Sequence, residues 1–155
     1  MIFVGLSWRG RRAAAAMLTG VLAVGAAGEP EVPSVNAVRN ADKARVDYML
    51  NCQGCHLPEG RGIPGVVPVM KNYVGNFLRV PGGREFLVQV PGSANAALDD
   101  AALADLLNWV LVTISPEQLP ADWVPYTGTE VAKLRAVPLR EVTRRRAALV
   151  EQMWR

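Results

Sequence analysis

The sequence predicts an all-α fold, and three features predict it. Residues 41 to 51 set Ala41, Ala44 and Tyr48 on one helical face, ahead of a turn-rich loop. Residues 100 to 114 repeat Leu103, Leu106, Leu107, Val110 and Ile114 at helical spacing. The tail from 115 to 155 carries two shorter apolar stripes, Val131 with Leu134 and then Val142, Leu149 and Met153. Half of the 155 residues are apolar, enough for one domain with its own core and too few for two. No internal repeat and no low-complexity segment interrupts this pattern.

The elements follow in order. Residues 1 to 28 read as a signal peptide. Arg9, Arg11 and Arg12 supply its charge, Ala13 to Ala27 its apolar run, and Gly25 to Gly28 the small residues of a cleavage site. At about 1.5 Å per residue that run falls short of a bilayer's roughly 30 Å of hydrocarbon. Cleavage is therefore expected, with no stable membrane span left behind; an uncut anchor is the alternative. Pro30 and Pro33 mark an extended lead-in over 29 to 38. Asn40 is placed to cap the first helix, and Asp42 complements its positive end.

Beyond residue 56, the prolines at 58, 64 and 68 and the glycines at 60, 62 and 65 predict a loop. Residues 71 to 80 read as a short helix around Tyr73, Val74, Phe77 and Leu78, broken by Pro81-Gly82-Gly83. Residues 84 to 90 fit a strand through Phe86, Val88 and Val90, or a helical turn through Phe86, Leu87 and Val90; Pro91-Gly92 ends either. Asp99 is placed to cap the long helix, with Trp109 on or beside its apolar face. In the tail, Thr127 and Glu130 have capping-box spacing, and Pro138 separates the last two helices.

The formal charge of +3 belongs to the leader: without residues 1 to 28, fourteen basic residues face fourteen acidic ones. A nucleic-acid partner would call for a clustered basic surface, and none is expected. The run Arg144-Arg145-Arg146 reads as a solvated helix face, with steering of an acidic partner as its functional alternative.

The chain has two cysteines and one histidine, all within Cys52-Gln53-Gly54-Cys55-His56. The spacing C-x-x-C-H matches c-type haem attachment, each thiol adding across one vinyl group while the adjacent imidazole is carried under the iron. A structural zinc site needs four ligands and finds three. A thioredoxin-like pair would follow a strand, whereas a helix precedes Cys52. A plain disulfide leaves His56 without a role. One covalent haem c is the reading that uses all three residues.

Over about residues 40 to 114 the chain resembles the class I cytochrome c family. In that family a small residue stands eight positions, and an aromatic four positions, before the first haem cysteine; here these are Ala44 and Tyr48. Trp109 looks like the aromatic partner on the C-terminal helix. Pro68, twelve residues after His56, matches the proline whose carbonyl orients the haem histidine. The resemblance implies a small helical fold around one covalent haem over residues 29 to 114, with 115 to 155 as a C-terminal helical extension. It leaves the sixth iron ligand open. After the leader the methionines are Met49, Met70 and Met153, and the family's usual ligand stretch, 90 to 97, contains none. Met70 is the candidate, with haem-side packing as its alternative; Asn95, Tyr73 or water are others.

The function expected is that of an exported, periplasmic electron carrier and not an enzyme. Its partners would be a periplasmic dehydrogenase and an oxidase or another cytochrome. A ligand-binding or sensing haem protein with an open sixth position, or the haem subunit of a dehydrogenase, are the alternatives.

Overall fold

The computed structural model describes residues 37–155. The expected leader and most of the lead-in lie outside the described residues. Helix α1 (Ala41–Asn51) starts where Asn40 accepts a hydrogen bond from the Lys43 N–H at 3.0 Å. Helix α5 (Asp100–Ile114) starts in the same way at Asp99, which accepts from the Ala102 N–H at 2.7 Å. The two helices pack together. Ala44, 1% exposed, lets them approach closely, and the Tyr48 and Trp109 rings meet at 5.3 Å between centroids.

The expected helix over 71 to 80 is a tight 3-10 turn, Val74–Arg79. The ambiguous stretch after it is helical: α3 (Gly83–Gln89) buries Phe86, Leu87 and Val88 in succession, which a strand with one wet face could not do. Two contacts decide it. Phe86 stacks on Phe77 at 5.0 Å, and Gly83 lies so close to the Phe77 carbonyl oxygen that a Cβ would collide there. Helix α3 ends before Pro91, as expected, and Pro91 also opens a further turn, α4 (Pro91–Ala94), because a first helical residue needs no N–H. No β-strand occurs among the described residues; Ile63 and Val67 form an isolated bridge. The fold is all-α, as the sequence predicts.

The tail packs on this body. Helix α6 (Gly128–Arg135) lies against α5 and α3, and α7 (Val142–Met153) against the 3-10 turn and α3. Each drives one side chain fully into the core, Val131 and Leu149, both 0% exposed. The capping box at Thr127 is only half made. Thr127 accepts from the Glu130 N–H at 3.2 Å, but the Glu130 carboxylate turns away to a bidentate pair with Arg84 at 2.6 and 2.8 Å. A charge-assisted fork is the stronger partner.

Arg135, at the end of α6, donates to the carbonyls of Ala94, Ala96 and Leu98 at 2.9, 2.9 and 2.8 Å and pairs with Asp100 at 3.2 Å. One guanidinium thus shapes the loop between α4 and α5. Arg135→Met is expected to cost about 1–3 kcal/mol, since water can replace only some of these bonds. Urea denaturation measures the loss, and faster amide exchange confined to residues 94–98 locates it. No helix among the described residues is long and apolar enough to cross a membrane.

Candidate cofactor site

Helix α1 ends by delivering the chain into a single helical turn, α2 (Gln53–His56), through the Cys52 N–H bond to the Tyr48 carbonyl at 2.9 Å. The His56 N–H bonds the Cys52 carbonyl at 2.9 Å, so Cys52, Cys55 and His56 stand at i, i+3 and i+4 on one face. Leu57 stops the turn with φ of 64°, a conformation few side chains adopt. Its carbonyl accepts from the Tyr48 hydroxyl at 2.6 Å, and burial pushes that phenol up to about 12, so it stays a neutral donor. The same tyrosine that locks α1 on α5 therefore also fixes the exit from the pentapeptide.

The loop then doubles back. The Gly62 N–H bonds the His56 carbonyl at 3.0 Å with φ of 64°, and a Cβ at Gly62 would run into the Val67 and Pro68 carbonyls. This return sets the Pro68 carbonyl oxygen 3.1 Å from His56 Nδ1. With Nδ1–H donating there, Nε2 keeps its lone pair for a metal. Burial lowers the His56 pKa and the bond to Pro68 partly opposes it, which favours the neutral ring at neutral pH. Burial, with Cys55 nearby, pushes the Cys52 thiol up to about 11, whereas Cys55 is exposed; both are free thiols.

Five of the residues singled out from sequence border one cavity of about 380 Å³: Cys52, Cys55, His56, Pro68 and Met70. Its depth is apolar, formed by the Phe77 and Phe86 rings and by Leu103, Leu106 and Val110 of α5. Met49 is 47% exposed on α1, and neither it nor Met153, packed on the core near the end of α7, borders the cavity. Asn95 and Tyr73, the other ligand candidates, are not in its lining either.

Sequence reasoning missed Ser93, Val142 and Arg146, which also line it. The arginine run is not a uniformly solvated face. Arg144 is exposed, but Arg145 and Arg146 are half-buried, and the Arg146 guanidinium sits 5.8 Å from the Tyr73 ring centroid. The available signal was periodicity: Val142, Arg146, Leu149 and Met153 share one helical stripe, so Arg146 points inward with them.

No protein-family model matches the chain. Among curated proteins it is similar to a cytochrome c-552 of Thermus thermophilus, 32% identical over 121 residues, covering 66% of this chain and 80% of that protein. A second cytochrome c-552 of Thermus thermophilus is 32% identical over 117 residues, covering 64% of this chain and 88% of that protein. The chain belongs to the cytochrome c family.

For a c-type cytochrome the cofactor implied is a covalently bound haem. The cavity of this cytochrome fits that group chemically. An apolar macrocycle needs aliphatic and aromatic walls, covalent attachment needs free thiols at the rim, and the iron needs a neutral, oriented imidazole. This cytochrome has all three in one cavity.

Proposed function

We propose that this cytochrome is an exported carrier of single electrons that holds one haem through Cys52 and Cys55, with His56 as iron ligand and Pro68 as its positioning residue. The observation that carries the proposal is the His56 ring, tied by Nδ1 to a carbonyl at 3.1 Å beside two free thiols at the mouth of an apolar cavity. A bound haem supplies an iron that alternates between ferrous and ferric states, one electron at a time.

The chain's own residues do the rest. Cys52, half-buried, and Cys55, exposed, would tether one haem edge where the protein opens to solvent, giving partners a short path to the ring. Pro68 fixes the His56 tautomer and ring angle in both oxidation states. The packed side chains of α3 and α5 keep the cavity shape constant, so little reorganisation accompanies each transfer. The partners proposed are a periplasmic dehydrogenase as donor and an oxidase or larger cytochrome as acceptor.

The test is expression of the full chain in a host competent for c-type haem attachment. The expected product is coloured, carries the mass of one haem that survives denaturation, and takes up one electron per chain in a redox titration. A product at bare peptide mass, or one that loses its haem on unfolding, overturns the proposal.

A further inference from the structure

His56, Pro68 and Met70 belong to one wall of the cavity. The Pro68 carbonyl meets His56 Nδ1, the Gly62 N–H meets the His56 carbonyl, and the Met70 N–H meets the Gly60 carbonyl at 2.7 Å. One folded-back loop carries all three, which places Met70 on the same side of the cavity as His56. Asn51 and Val69 flank the motif and the loop; the rest of the lining comes from residues 74 to 146, and there every side chain is apolar except Ser93 and Arg146. Among the described residues, that wall offers no imidazole and no thioether.

What it does offer is a cation. Arg146 has no acidic partner among the described ion pairs, and its guanidinium lies against Tyr73 at the edge of an apolar cavity. Half-buried at an apolar edge, this guanidinium is placed to pair with an anion. Ser93, half-buried in α4, adds a hydroxyl that can donate or accept.

We infer that Arg146 and Ser93 form a binding pocket for a small inorganic anion on the haem face opposite His56, where the described residues supply no sixth ligand. This rests on the haem attachment proposed above and goes beyond it. The anion balances both the guanidinium and the ferric centre, and it binds the ferric state more tightly because that state carries one more positive charge. The pocket thereby couples anion concentration to reduction potential, about 59 mV lower for each tenfold preference for the ferric state. The Arg146 side chain comes from the tail, so the extension completes a site that the body alone leaves half built.

The experiment uses the haem-loaded full chain. Carbon monoxide is the neutral probe of the ferrous protein and azide the anionic probe of the ferric one, both followed by absorption. Rapid carbon monoxide binding, saturable azide binding, and a midpoint potential lowered by azide are the expected results. Arg146→Ala should weaken azide on the order of tenfold or more while carbon monoxide changes less than about twofold; Arg146→Lys, which keeps the charge, should retain most of the affinity. A loaded protein that binds neither probe has its sixth position filled by the chain, and the inference fails while the attachment reading stands. Binding that appears only in Met70→Leu identifies Met70 as that ligand and overturns it equally. Azide affinity unchanged in Arg146→Ala assigns the arginine to another anion, such as a haem propionate, and also overturns it. Failure of attachment shows earlier, as bare peptide mass.

Discussion

Cys52→Ala/Cys55→Ala, made in the same assembly-competent host, is expected to emerge with no haem that survives denaturation, a complete loss and not a graded one. No other thiol exists in the chain to take over. The single variants separate the two positions. Cys52 is half-buried and its thiol is held protonated by burial, whereas Cys55 is exposed. Each single replacement leaves one thioether, so haem remains attached but the ring can pivot about its single tether, and His56 ligation should weaken. His56→Ala gives the complementary result: haem mass retained, and an altered iron spectrum. Intact mass under denaturing conditions and the absorption spectrum of the native protein check these outcomes together. Stable haem on the double variant after denaturation would mean that the ring is held by something other than these sulfurs.

The part of the site that was legible in the sequence is the part whose geometry is local. Cys52, Cys55 and His56 sit within one helical turn, so their spacing alone puts them on one face. Ala44 and Tyr48 were legible through their register against Cys52, because one helix carries both and α5 must cross at the small residue. Pro68 needed the resemblance, since a doubled-back loop separates it from His56 by twelve residues. Arg146 and Ser93 were harder to read for a different reason. Three consecutive arginines look like surface, and only the stripe shared with Val142, Leu149 and Met153 marks Arg146 as inward; Ser93 has no such pattern.

The same distinction holds for the fold. Residues 84 to 90 fit two periodicities equally well, and the choice was made by a glycine at residue 83 pressed on the Phe77 carbonyl and by ring stacking, neither a property of the segment. Glu130 illustrates competition between local and distant partners. Its capping-box spacing was correct, yet Arg84, 46 residues away, offers two charge-assisted bonds in place of one backbone N–H. Local rules name the bonds a residue can make; tertiary partners decide which it keeps.

Asn108→Leu is expected to be among the most damaging single substitutions away from the haem motif, costing about 3–5 kcal/mol. Asn108 is 1% exposed on α5, and its amide does three jobs at once. It donates to the carbonyls of Tyr126 and Ala37 at 3.0 and 3.1 Å and accepts from the Tyr126 N–H at 2.8 Å. Leucine fills similar volume but leaves the Tyr126 N–H and carbonyl buried without partners, each such group costing about 1–3 kcal/mol. The damage spreads because Tyr126 is itself a junction. Its hydroxyl donates to the Arg84 carbonyl at 2.8 Å, its ring lies 4.1 Å under the Arg84 guanidinium, and that guanidinium holds Glu130 of α6. Asn108→Asp separates the terms: it keeps an acceptor for the Tyr126 N–H but sets a carboxylate against two carbonyl oxygens, so it should be no better than leucine. Urea denaturation of the haem-loaded variants measures the loss, with haem mass as the control that attachment is untouched. A single cooperative transition shifted to lower urea would mean that tail and body unfold as one unit through this amide. An early transition confined to residues 115–155 would mean that Asn108 clasps a tail with its own, weaker stability. A shift worth under about 1 kcal/mol would show that water reaches Tyr126 and that the buried amide is not the clasp its geometry implies.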